Sequence, residues 1–120
     1  MEEGRPSFTA IGCAMQRAAH LLWDDPPRIF EDTFAMALSG CADETVLRER
    51  LDALSADLGA KAGADLAQTA LRSNRSVHVM RSRYVEDELA LLLKRGVSQY
   101  VILGAGLDSF AYRRPDLRTS

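Results

Sequence analysis

QYVILGAGLDSFAYRRPDL, residues 99–117, joins an apolar run to two glycines one residue apart and an aspartate that opens a short helical pattern. The run QYVIL is rich in β-formers and bounded by Gly96 and Gly104. It predicts a strand over residues 99–103, buried on both faces as in a parallel sheet. Gly104 and Gly106 then fall at the carboxyl end of that strand, where open α/β sheets bind their ligands. Glycine suits that place because it takes φ > 0 in a tight turn and has no Cβ to hold a ligand off the backbone. Asp108 is placed to cap a helix over SFAYRR, which Pro115 ends.

Two features temper the loop. A lone parallel strand has nothing to pair with, and no second run of similar quality exists in these 120 residues. The third glycine of a dinucleotide-binding GxGxxG is also missing, because Ser109 stands there. That counts against a pyrophosphate site more than against a ligand without pyrophosphate, such as an adenosyl amino acid. From the glycines alone, a cofactor loop and a plain β-turn-α connection are equally good readings.

Working outward, residues 1–96 read as helices. Ser7 or Thr9 caps a first helix to about Leu22, with Ile11, Met15, Ala18 and Leu22 on one face. Pro26 and Pro27 break it. A short second helix is predicted through RIFEDTFAMALSG, stopped near Gly40. Asp43 or Thr45 opens a third, striped by Val46, Leu47, Leu51, Leu54 and Leu58. KAGADLAQTALRSNR reads as helix, loop or both. The fourth helix, SVHVMRSRYVEDELALLLKRG, repeats Val77, Met80, Tyr84, Val85, Leu89, Leu92 and Leu93 at helical spacing and stops at Gly96.

On that fourth helix Arg81 and Arg83 project on different sides. Arg81 lies beside the apolar stripe, three positions from Tyr84, and an inward arginine there binds a carboxylate bidentately. A surface arginine paired with Glu86 or Asp87 is the competing reading, and Arg83 with Asp87 at i,i+4 has the spacing for it.

Composition bounds the rest. With 47% hydrophobic and 27% charged residues the chain is ordinary for a globular domain with one core. A formal charge of -2 gives no basic surplus for phosphate contacts, so no nucleic-acid partner is expected. The acidic, polar start MEEGRPSFTA is neither a secretory signal nor a transit peptide, and no apolar run approaches a membrane span. Cys13 and Cys41 lack CxxC spacing and read as free thiols, and His20 and His78 have no second ligand at metal spacing. A cytoplasmic setting without metal is the expectation. His20, a lone histidine on a helix, reads as structural, as do Tyr84 and Tyr112, and no catalytic residue is assigned.

Taken together, RAAHLLWDDPPRIFED (17–32), RSRYVEDELALLLKRGVSQYVILGAG (81–106) and LDSFAYRRPDL (107–117) resemble the leucine carboxyl methyltransferase family, in particular its bacterial, actinobacterial-type branch of S-adenosylmethionine-dependent methyltransferases. The resemblance covers nearly the whole chain. It implies an α/β fold, with a helical amino-terminal cap over residues 1–96 and, from residue 97 to 120, the first strand and glycine loop of a Rossmann-like cofactor domain. It implies S-adenosyl-L-methionine as cofactor. Gly104 and Gly106 fall on the loop that lies against the cofactor's amino-acid and ribose portion, Arg81 on the arginine that grips its carboxylate, and Arg17, on a looser match, on an early basic residue near it. Thr33 departs from the proline usual after FED or FDD.

The resemblance further implies methyl transfer to a carboxylate or hydroxyl of a small molecule or protein. Because family members run well over a hundred residues further, the chain is expected to be an amino-terminal fragment that does not catalyse transfer alone. The alternative is a non-catalytic helical interaction module in which the glycine loop is only a turn. A nicotinamide-dependent oxidoreductase fragment is disfavoured by Ser109 and by the long helical region before the first strand.

Overall fold

The computed structural model describes residues 4–117. Ser7 starts the first helix, its hydroxyl accepting from the Ala10 N–H at 3.1 Å. This helix, α1, runs Phe8–Trp23 and buries Met15, Ala18 and Ala19. The second helix, α2, is shorter than the sequence pattern implies and covers only Ala35–Ser39. Residues 28–34 instead run without regular structure against α1. Asp32 explains the late start: its side chain accepts from the Phe34 N–H and its carbonyl from the Ala35 N–H, so the chain turns into the helix there. Gly40, at φ 69°, ends α2 in the left-handed conformation that favours glycine.

Asp43 caps α3, Glu44–Ala62, accepting from the Val46 N–H at 2.9 Å. Within its leucine stripe Leu47 and Leu51 are buried, and Leu54 and Leu58 are half-buried. Gly63, at φ 91°, alone separates α3 from α4, Ala64–Lys94. The ambiguous segment around residues 61–75 is therefore helical on both sides of one glycine. At 31 residues, α4 is about 46 Å long. Its inward face carries Ala67, Val79 and Leu89, whereas Val77, Met80 and Tyr84 of the anticipated stripe are exposed.

The core lies where α1, α2 and α3 meet. Met15, Ala18, Ala19, Ala35, Cys41, Leu47 and Leu51 pack together, with Trp23 and Met36 at the edge. Cys13 and Cys41 are free thiols. Among the described residues no helix is long and apolar enough to cross a membrane.

The expected α/β fold is not what forms. The described residues contain helices and no strand. Residues 97–103 run irregularly, with Val101 64% and Leu103 90% exposed where the sequence predicts a strand buried on both faces. The reason is pairing: an extended segment needs a neighbour to satisfy its backbone groups, and the described residues supply none. A start of a Rossmann-like sheet over residues 97–120 is therefore absent from the described part, and residues 118–120 lie outside it. In its place the chain makes a turn through Gly104–Asp108, the short helix α5 at Phe110–Arg113 and a 3₁₀ turn at Pro115–Leu117. Asp108 Oδ1 accepts from the Phe110 N–H at 2.8 Å, so the aspartate does serve the start of this helix.

Candidate functional site

Although no strand carries it among the described residues, the glycine turn is held in a defined place. Gly104 and Gly106 have φ of 63° and 55°, the left-handed region that costs other residues dearly. A Cβ on Gly104 would meet nothing, so one side of that residue is open. A Cβ on Gly106 would stand 3.3 Å from the Ala10 Cβ, which seats the turn against the start of α1.

Between this turn, α1 and α4 lies a cleft of about 470 Å³. Ala10, Cys13 and Arg17 of α1 form one wall, His78, Arg81 and Glu86 of α4 another, and Gly104–Asp108 the third. The structure thus brings all four predicted residues, Arg17, Arg81, Gly104 and Gly106, onto one cleft. Their electrostatic states differ. Arg83 pairs with Asp87 at 2.9 Å on the surface, and Glu86 accepts from both terminal guanidinium nitrogens of Arg113. That leaves Arg81 with no carboxylate partner among the described residues, a free guanidinium at the cleft. Arg17 is engaged: its Nε donates to Asp32 Oδ2 at 2.8 Å and its Nη2 to the Leu107 carbonyl at 2.6 Å.

His78 Nε2 stands 3.7 Å from the Cys13 thiol. Burial first, and then the nearby Arg81 and Arg17 charges, hold the imidazole below its ordinary value of 6.5, so it is neutral at pH 7. The Tyr100 phenol, also on this cleft, is pushed up by burial and by the Asp108 and Glu86 carboxylates, and it keeps its proton. His20, by contrast, is structural. It is buried, lies 2.6 Å from Asp24 through Nδ1, and accepts the Phe30 N–H through Nε2, which places its proton on Nδ1.

Sequence reasoning missed the group that fixes the turn. Asp32 is fully buried, and its carboxylate accepts from Arg17, from the Ser109 hydroxyl at 2.6 Å and from the Phe34 N–H. Ser109 in turn accepts from Arg113 Nε at 2.8 Å, and the Arg113 guanidinium lies over the Phe30 ring at 4.5 Å. Asp32 sits in a segment that reads as helix, and Ser109 reads only as a missing glycine. No local pattern announces their contact.

A second cleft, about 580 Å³, lies where α1 meets α3 and the first half of α4. Trp23, Asp24, Arg48, Asp52, Arg72 and Arg75 line it. Its charges are mixed and several are satisfied internally: Arg75 binds Asp24, and Arg48 binds Glu44 and stacks on Trp23. Among the described residues no positive-φ turn lines it. Arg72 on the larger cleft likewise has no acidic partner among the described residues, but the smaller cleft is the better candidate because it adds a neutral imidazole and an open backbone turn.

The comparisons with known proteins agree with the motif reading. A protein of Parafrankia sp. (strain EAN1pec) is 35% identical over 107 residues, covering 89% of this chain and 31% of its own length. One from Bacillus subtilis is 30% identical over 129 residues, covering 100% and 42%. One from Mycolicibacterium smegmatis is 34% identical over 105 residues, covering 88% and 31%. All three carry the provisional name of S-adenosyl-L-methionine-dependent methyltransferase. The chain thus spans between 31% and 42% of the length of these relatives. No solved structure matches it. The leucine carboxyl methyltransferase family profile matches residues 10–120, and the chain belongs to that family.

Proposed function

We propose that the cleft between Arg81 and the Gly104–Asp108 turn is the part of an S-adenosyl-L-methionine site that receives the cofactor's amino-acid end. The observation that carries this reading is that Arg81, without an acidic partner among the described residues, lines the same cleft as an open glycine turn. A carboxylate fits that place, since Arg17, the other arginine bordering the cleft, is already bound to an acid. The residues present also suit the neighbouring portion: Gly104 leaves space above its backbone, and the positive φ of both glycines turns the chain without a side chain in the way.

When bound, the cofactor supplies a sulfonium methyl group, already a strong electrophile, for transfer to an oxygen nucleophile. The chain's own part is to bind and orient, which is where most of the rate advantage of such a reaction arises. A carboxylate acceptor needs no general base, whereas a hydroxyl acceptor needs one. The acceptor in this reading is a carboxylate or hydroxyl of a small molecule or protein. The groups around the adenine and the acceptor belong to the part of such an enzyme that these residues do not include, so binding here is weak and methyl transfer needs more than this cleft.

The test is a nitrogen-15 NMR titration of the chain with S-adenosylhomocysteine. Saturable shifts are expected at Gly104 and Gly106 with a Kd of about 1 mM, equivalent to about 4 kcal/mol. They disappear in Arg81→Ala and persist in Arg83→Ala. Absence of shifts at the two glycines up to several millimolar, or identical shifts in both variants, overturns the assignment.

A further inference from the structure

Arg17, Asp32 and Ser109 form a chain of contacts that leads from α1 to the glycine turn. Asp32 is inaccessible to solvent, yet each oxygen is matched: Oδ2 receives Arg17 Nε at 2.8 Å and the Ser109 hydroxyl at 2.6 Å, and Oδ1 receives the Phe34 N–H at 3.1 Å. A buried carboxylate is tolerated only when it is satisfied in this way. Arg17 spans the gap, with one nitrogen on Asp32 and another on the Leu107 carbonyl at 2.6 Å. Ser109, only 2% exposed, closes the circuit from the other end of the turn. Gly106, one residue before the Leu107 anchor, rests on Ala10.

From this geometry we infer that Asp32 and Ser109 are positioning residues for the cofactor turn, and that Arg17 is a brace for the turn rather than a ligand of the cofactor. The inference rests on the cofactor reading of the cleft and sharpens it. With Arg17 neutralised by Asp32 and spent on the Leu107 carbonyl, recognition of the ligand's carboxylate falls to Arg81 alone. Ser109 then has a purpose that glycine cannot serve. Its hydroxyl ties the end of the turn to a buried acid, in place of the close helix approach that a third glycine allows in a dinucleotide loop. Among the described residues no sheet holds the segment, and this polar brace does that task from the helical side.

The experiment pairs amide hydrogen exchange with the S-adenosylhomocysteine titration, on the full chain and on Ser109→Ala, Arg17→Lys and Asp32→Asn. The Asp108 N–H, bonded to the Ala105 carbonyl at 2.9 Å, reports on the turn, and the amides of Ala14–Ala19 report on the core. In Ser109→Ala, exchange at Asp108 rises about tenfold, the size of one lost charge-assisted hydrogen bond, while the core amides keep their protection. The affinity for S-adenosylhomocysteine falls only by the factor by which the held turn loses population, which is small while the turn stays mostly closed. Arg17→Lys retains a positive charge but cannot bridge two acceptors in a fixed fork, and it gives the same pattern.

Unchanged exchange at Asp108 in Ser109→Ala and Arg17→Lys overturns the brace. So does an equal rise at Asp108 and in the core, which would make these residues general stabilisers. Should Asp32→Asn fail to fold, the other two variants decide. If the wild-type chain shows no ligand shifts, the cofactor reading fails while the exchange data still decide the brace. If ligand affinity drops in Arg17→Lys with the turn undisturbed, Arg17 contacts the ligand and the inference is wrong.

Discussion

The α1–α2–α3 core and the segment from residue 97 to 117 are held by opposite means. In the first, apolar side chains are inside: Leu47 is fully buried among Met15, Ala19, Ala35 and their neighbours. In the second, Val101 and Leu103 are largely exposed, and apart from the ring contact of Tyr112 with Phe34 the attachment runs mainly through Asp32, Arg17, Ser109, Arg113 and Glu86. Apolar burial is non-directional and scales with area. Hydrogen-bonded charges fix direction, and a turn that must present its backbone to a ligand needs direction more than area. The difference shows how a helical assembly can hold a loop in place where, among the described residues, no sheet carries it.

The largest expected effect lies on the apolar side of this contrast. Leu47→Ala leaves a cavity where three helices meet and costs about 2–4 kcal/mol of global stability, read by urea denaturation. Below the unfolding transition the Asp108 amide should remain as protected as in the wild type, because the cluster around Leu47 contains no residue of the turn. Loss of turn protection before global unfolding would break the contrast and show that the turn depends on core packing.

A smaller effect separates the two glycines. Gly106→Ala forces both a left-handed residue and a 3.3 Å contact with Ala10, at a cost of about 1–2 kcal/mol. Gly104→Ala faces open space and costs about 1 kcal/mol, from the backbone conformation alone. Thermal unfolding of both variants checks the order. If Gly104→Ala is the more harmful, the turn is not seated on α1 through Gly106. In ligand titrations the order should invert: Gly104→Ala puts a methyl into the open side of the turn, where the ligand approaches.

The same contrast explains what could be read from the sequence. The caps Ser7 and Asp43, the stop at Gly40 and the pair Leu47 and Leu51 follow from patterns within a few residues, and they are where the chain places them. Arg81 and the two glycines stand out through the family resemblance, since residue type alone leaves a surface arginine and a plain turn as equally good readings, and the structure places all three on one cleft. Arg83 with Asp87 was legible because helical spacing sets it. Asp32 and Ser109 are 77 positions apart, and no period or motif links an acid in FED to a serine after GAGLD. Residues 28–34 failed as a helix for a related reason: Asp32 is committed to long-range partners and turns the backbone locally. The strand at 99–103 failed because β-formers state only what a segment does when it has a neighbour to pair with.

The smallest effect tests that last point. Leu103 has the side chain of a buried strand and is 90% exposed. If residues 97–103 are unpaired in solution, Leu103→Ser removes nothing that is packed, and stability changes by no more than about 0.5 kcal/mol. The exposed run is an edge that invites association, so the variant should also remain monomeric to higher concentration than the wild type, as read by sedimentation. A loss of about 2 kcal/mol or more, on the scale of about 25 cal/mol per Å² of apolar surface, would mean that Leu103 is covered in solution. That outcome would return the segment to the apolar side of the comparison, with the turn held by burial as well as by charge.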